Sequence, residues 1–204
     1  MQGHFISASA VAKLIVDATV VMGTPGPSTL AVMATAAAFG ISRSLPFMFG
    51  AMVGTVAVLA GVAAGVTTLL LSFPPIAAVL TVAGLLYLLY LSSRIATAPP
   101  LSKQAELRAV PTFAGGCVLG LSNPKAWLAI AAVFTGTAVT SSSTALDVSL
   151  KAVLLTVMIV AIHLVWLVAG AYLARLLSDP LWSRIANVAF AIILAGTAVL
   201  ALLR

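Results

Sequence analysis

The chain has 204 residues, of which 62% are hydrophobic and 7% charged, with a net charge of +6. Ordinary globular domains carry roughly a quarter charged residues, so this composition lacks the polar surface of a water-soluble fold and points to a membrane protein. One cysteine, two histidines and four acidic residues exclude an internal disulfide framework and argue against a metal-rich centre; no cofactor and no metal are expected.

At roughly 20 residues per crossing, six spans are expected, at residues 10–39, 45–71, 76–91, 112–139, 148–177 and 182–203. The first carries Lys13 and Asp17, too much charge for a cleavable signal, and runs into Gly23-Thr24-Pro25-Gly26-Pro27-Ser28. After Gly40-Ile41-Ser42-Arg43 the second span begins, and Phe73-Pro74-Pro75 separates it from the third by a turn so short that the two helices should pack closely. The polar stretch 92–110, with Pro99-Pro100, Lys103, Glu106 and Arg108, is the one substantial loop. The fourth span is interrupted by Leu121-Ser122-Asn123-Pro124-Lys125, and the last three are separated by the stretch 141–144 and by Ser178-Asp179-Pro180. A five-span reading, with one short apolar stretch left out of the membrane, stays open.

With six spans both termini share a side. Arg43, Arg94, Lys103, Arg108, Arg175 and Arg184 then collect on one face and Lys151 and Arg204 on the other. The positive-inside rule puts the 92–110 loop in the cytoplasm and both termini outside the cell membrane. This distribution reads as membrane topology, not as a nucleic-acid surface. The spans divide as three plus three within one domain, 1–204, with repeats of about 1–95 and 111–204. An odd number of crossings per half inverts the second half relative to the first. The expected fold is thus an all-α polytopic membrane protein, two inverted three-helix repeats with spans 1 and 4 broken at proline motifs.

Midspan breaks leave backbone groups without partners in hydrocarbon, which is tolerated where they face protein or a water-filled cavity. A matched pair in two halves of a chain points to a transporter's binding site. Pro27 and Pro124 suit the first position of a helix; Asn123 suits the N-cap before Pro124, with Gly26 or Ser28 serving at the first break. Two half-helix N-termini would then face one cavity, each favouring an anionic group, and Lys125 adds a formal positive charge. The candidate substrate site is Thr24, Pro25, Gly26, Pro27, Ser28, Asn123, Pro124, Lys125 and Trp127. Its expected ligand carries a small anionic group such as a carboxylate.

Asp17 reads either as a proton-coupling or cation-recognition group or as the structural partner of Lys13 one helical turn away, with Lys125 a competing partner. His163, midway along the fifth span, carries a side chain of the type that can titrate near neutral pH and joins Asp17 and Lys125 as a coupling candidate, against a plain hydrogen-bonded packing role. Trp166 reads as packing, and Tyr172 and Trp182 as interfacial anchors. Gly50 with Gly54, and Gly61 with Gly65, form small-xxx-small patterns for close helix contact within the bundle; a homodimer face is the alternative use.

Thr24-Pro25-Gly26-Pro27, followed by Gly40, Arg43, Gly50 and Gly54, resembles the opening motif of LysE/RhtB-type amino-acid exporters. Gly120-Leu121-Ser122-Asn123-Pro124-Lys125-Ala126 is similar to that family's second signature, and Tyr87-Leu88-Leu89-Tyr90 fits its third span. The resemblance covers nearly the whole chain. It implies a non-enzymatic, secondary-active exporter of amino acids or related metabolites, powered by the proton gradient and working by alternating access. Two departures are Ser28, where many relatives have Asn or Asp, and the charged pair Lys13 and Asp17. A divalent-metal exporter of similar architecture would need His, Asp or Glu clusters in its spans. A thiol–disulfide carrier would need two cysteines. An intramembrane hydrolase would have to pair Ser122 or Ser28 with His163.

Overall fold

A computed structural model describes residues 6–65, 72, 74–97, 111–176 and 180–202. Among them are eight helices: α1 (Ala8–Gly23), α2 (Pro27–Phe39), α3 (Ile41–Ala63), α4 (Pro74–Ala96), α5 (Phe113–Ser122), α6 (Pro124–Gly136), α7 (Thr144–Leu176) and α8 (Pro180–Leu202). Two of these are long and apolar enough to cross a membrane, α3 and the Thr144–Leu173 part of α7. The pairs α1–α2 and α5–α6 meet the same requirement together and bend at their breaks by 65° and 58°. Shorter apolar stretches, Leu85–Ala96 and Arg184–Gly196, lie in α4 and α8.

Local chemistry sets the boundaries. Gly40, at φ 79°, separates α2 from α3 by a single residue, so the expected four-residue separator is mostly helix. Residues 66–71 of the expected second span lie outside the described residues, and α3 ends at Ala63. There Gly65, at φ 78°, turns its N–H back to Val62 O (3.0 Å), and the left-handed conformation that glycine accepts closes the helix. The fifth span starts a turn earlier than expected because Ser143 caps it, accepting from Leu146 N through Oγ (3.1 Å). Phe73, residues 98–110 of the long loop with Lys103 and Arg108, Ser178 with Asp179, and Arg204 lie outside the described residues.

Phe73 of the expected short turn lies outside the described residues, and among the described residues α3 and α4 are not a closely packed pair. α3 and α4 meet at the Phe47–Tyr87 ring stack (6.4 Å between centroids), while the main neighbour of α3 is α5. The reason lies in matching glycines. A methyl group at Gly50 or Gly54 would collide with the Phe113 or Cys117 carbonyl oxygen, and one at Gly116 or Gly120 with that of Phe47 or Ala51. Backbone contact this close is how helices associate in lipid, where apolar side chains gain little by leaving the acyl chains. The Gly50–Gly54 face is therefore occupied within the chain by α5.

α2 lies at the centre and touches α3, α4, α5, α7 and α8. Its residues 34–39 are all buried, and four of the six are alanine. One apolar cluster runs through Ala31, Val32, Phe47, Leu91, Leu119 and Leu194. A second joins Leu14, Val58, Ile130, Val133, Leu155 and Ile159. Val16, Val20, Val53, Val157, Val165 and Ile192 point outward, as a lipid-facing surface requires. An antiparallel bridge between Ile6 and Thr140, with Ser7 N donating to Val139 O (3.0 Å), puts the entry to α1 beside the α6–α7 connection.

Candidate functional site

Both breaks form at prolines that open a helix. Pro27 starts α2 and Pro124 starts α6, each where the absent N–H had no intrahelical partner. Their caps differ. Asn123 Oδ1 accepts from Lys125 N (3.1 Å), and the Asn123 carbonyl takes Ala126 N (3.0 Å) and Trp127 N (3.4 Å). The α6 end is thus closed by its own residues. At α2 the N-cap is Gly26, which offers no side chain, so the first-turn amides of α2 have no side-chain cap. Thr29 Oγ1 instead accepts from Gly26 N (2.9 Å) and donates to Gly26 O (3.1 Å), holding the extended glycine in place. The two breaks therefore differ as anion sites, and the α2 end is the open one.

The breaks touch each other across 95 residues of sequence, where Asn123 Nδ2 donates to Ser28 Oγ at 2.8 Å. That bond uses Ser28 as an acceptor and leaves its hydroxyl proton free to donate. Lys125 makes the second tie. It is the second residue of α6, at the positive end of the helix dipole, and its ammonium reaches away to the negative end of α1. There Nζ donates to Thr24 O (2.5 Å), Thr24 Oγ1 (2.8 Å) and Pro25 O (3.2 Å). All three ammonium protons are used. Gly26 admits this path, because a Cβ there would lie 2.6 Å from Lys125 Cδ.

Between the breaks lies a cavity with about 430 Å³ of empty space, part of it open to the surroundings. Its polar lining is Thr24, Ser28, Thr29, Thr55, Asn123, Lys125 and His163; its apolar lining is Met22, Ala126, Ala129, Ile130, Ile159 and Ile162, with the Gly26 backbone between. Among the described residues, Lys125 is the one formally charged residue in the lining, and no carboxylate lines the cavity. His163 is buried, with Nδ1 2.8 Å from Ile159 O.

The sequence-derived candidates thus separate. Thr24, Gly26, Ser28, Asn123, Lys125 and His163 line one cavity. Pro25, Pro27 and Pro124 shape its backbone without lining it. Trp127 also lies outside the lining, its indole N–H donating to Leu121 O (2.8 Å) across the second break. Asp17 pairs with Lys13 at 2.5 Å, on a part of α1 where its side chain is 35% exposed, and not with Lys125. Lys13 also donates to Thr137 Oγ1 (3.3 Å).

Three features escaped the sequence reading. Thr55, on α3, lines the cavity while donating to Ala51 O (2.8 Å). Trp166 does more than pack, because its Nε1 donates to Gly23 O (3.2 Å) and closes the C-terminal end of α1. Asp147 and Lys151 form a buried pair at 2.7 Å. Asp147 Oδ1 accepts from Val139 N (2.6 Å) and Thr140 N (3.1 Å), while Lys151 donates to Phe134 O (2.8 Å) and sits 4.5 Å from the centre of the Phe134 ring. The i,i+4 spacing of the two residues is the signal that could have found them; taken as a topology marker, Lys151 instead holds the end of α6 to α7.

No curated protein and no solved structure matches the chain. The family model described as LysE type translocator matches residues 19–204, which include both breaks and every cavity-lining residue. The chain therefore belongs to the LysE type translocator family: a multi-pass membrane protein that moves a small solute and is not an enzyme.

Proposed function

We propose that the protein is a secondary-active exporter of amino acids or related small carboxylate-bearing metabolites, proton-coupled and working by alternating access. The observation that carries this reading is the cavity between the breaks, whose formal charge comes from Lys125 alone among the described lining residues. A cation with no carboxylate beside it suits an anionic group and does not suit a divalent metal. The carboxylate would sit at the uncapped start of α2, hydrogen-bonded by the Ser28 hydroxyl and the first-turn amides. Lys125 would turn to it from the Thr24 and Pro25 carbonyls. That exchange loosens the tie between α1 and α6, and so couples ligand binding to the relation between the two halves.

In this reading the six helical segments, with each bent pair as one, are six spans in two inverted repeats of the cytoplasmic membrane. The termini lie outside and the 92–110 loop lies inside. The charges support that orientation. Lys13 and Lys151 lie at the terminus end, and the larger number of basic residues at the other end, Arg43, Arg94 and Arg184 among them, marks the cytoplasmic side. Lys125 and His163 are the coupling groups within the cavity, and Asp17 serves α1 as the partner of Lys13.

The test is counterflow in proteoliposomes with a panel of labelled amino acids, with and without an imposed proton gradient. Gradient-dependent exchange of at least one amino acid is expected. A folded, reconstituted protein that moves none of them would overturn the substrate class.

A further inference from the structure

The His163 ring is held at one edge and, among the described residues, unpaired at the other. Nδ1 lies 2.8 Å from Ile159 O on its own helix. A carbonyl oxygen only accepts, so Nδ1 carries a proton and donates, and in the neutral ring Nε2 then holds a lone pair. The residue is 3% exposed and lines the cavity, yet Nε2 has no hydrogen-bond partner among the described residues. Buried acceptors are almost always satisfied, and one left unpaired on a residue that lines a binding cavity is free to take a donor from the ligand.

The chemistry of that donor follows from the rest of the wall. The anion-binding groups, Ser28 and Lys125, stand at the breaks. His163 comes from α7 and offers the opposite polarity, a neutral acceptor flanked by Ile159 and Ile162. A ligand with an anionic group at the breaks and a cationic donor at Nε2 satisfies both.

We infer that His163 Nε2 accepts a hydrogen bond from the ammonium group of the substrate, making His163 the residue that selects amines over their hydroxy and keto analogues. This rests on the reading of the cavity as the site of a carboxylate-bearing substrate. The same lone pair binds a proton, so a proton and an ammonium group exclude each other at Nε2. That exclusion gives an exchanger a reason not to carry both at once. The other titratable group lining the cavity is Lys125, from α6; α1, α2 and α3 contribute Met22, Thr24, Ser28, Thr29 and Thr55. Lys13 and Asp17 on α1, Arg43 on α3 and Lys151 on α7 are not among the lining residues.

The experiment compares, in proteoliposome counterflow, the best-transported neutral amino acid of a labelled panel with the 2-hydroxy acid bearing the same side chain. Wild type should favour the amino acid in KM by roughly 10- to 100-fold, the worth of one hydrogen bond to a charged group. His163→Leu should abolish that preference while still moving the hydroxy acid, and His163→Gln, whose amide oxygen accepts, should retain it. The wild-type preference should also shrink as the pH falls and the ring is protonated. A leucine variant that keeps the preference, or a glutamine variant that loses it as fully, overturns the inference. Should the leucine variant not fold, a wild-type preference that does not change with pH overturns it. If wild type moves neither compound, the exporter reading falls as well, so the two failures are distinguishable.

Discussion

The described residues contain two Lys–Asp pairs of identical spacing and opposite surroundings, and together they make a controlled test of the packing. In Asp147–Lys151 the side chains are 12% and 8% exposed; in Lys13–Asp17 they are 35% and 58% exposed, Asp17 first. Asp147→Asn removes the charge and keeps an amide oxygen that can still accept from Val139 N and Thr140 N. What is lost is the partner of a buried ammonium, so the expected cost is that of orphaning one charge of a buried pair, about 3–5 kcal/mol. Lys151→Met should cost a similar amount, because it leaves the carboxylate buried. Joining the two substitutions should cost far less than their sum, since no uncompensated charge remains. Asp17→Asn should cost no more than about 1 kcal/mol, as for an exposed pair. The assay is reversible unfolding in mixed detergent micelles followed by tryptophan fluorescence. Equal costs for Asp147→Asn and Asp17→Asn, or strict additivity of the buried double variant, would refute the placement of the α6–α7 connection.

The glycine contact between α3 and α5 makes a second prediction: Gly116→Ala should destabilise by about 1–3 kcal/mol or more, while Gly136→Ala, with open space around its Cβ position, should stay near wild type in the same assay. Asn123→Ala removes both the α6 cap and the tie to Ser28, and should cost about 1–2 kcal/mol with a loss of counterflow larger than the loss of folded protein. Lys125→Met should raise KM or lower the rate of amino-acid counterflow by roughly 10- to 100-fold, the range for losing a hydrogen bond to a charged group. Trp166→Phe should cost about 0.5–1.5 kcal/mol by freeing Gly23 O, read as a lower unfolding midpoint.

The breaks were legible because they rest on local rules. Pro27 and Pro124 lack the N–H that a helix interior needs, and Asn123 has a side chain of the right length to cap. Gly50 and Gly54 announced a close helix contact by spacing alone. Their partner stripe, Gly116 and Gly120, has the same spacing but only becomes a partner once the two helices are brought together. The two Lys–Asp pairs show the limit most clearly. Sequence spacing says that each pair shares a helix face, and nothing local says which face another helix will cover. In a membrane chain that ambiguity is acute, because lipid-facing and protein-facing positions are both apolar. Lys125 is a related case. Its charge was legible, while its engagement with the Thr24 and Pro25 carbonyls, some 100 residues away, depended on how the half-helices meet.

The most direct test of the central claim is accessibility of the cavity from the two sides of a sealed membrane. Ala129 lines the cavity and is buried, and Cys117 is the chain's one cysteine. Ala129→Cys in a Cys117→Ala background should react with a membrane-impermeant thiol reagent applied to either face, and the transported amino acid should slow both reactions. A cysteine at 129 that reacts from neither face, or that reacts at the same rate with saturating substrate present, would contradict the account.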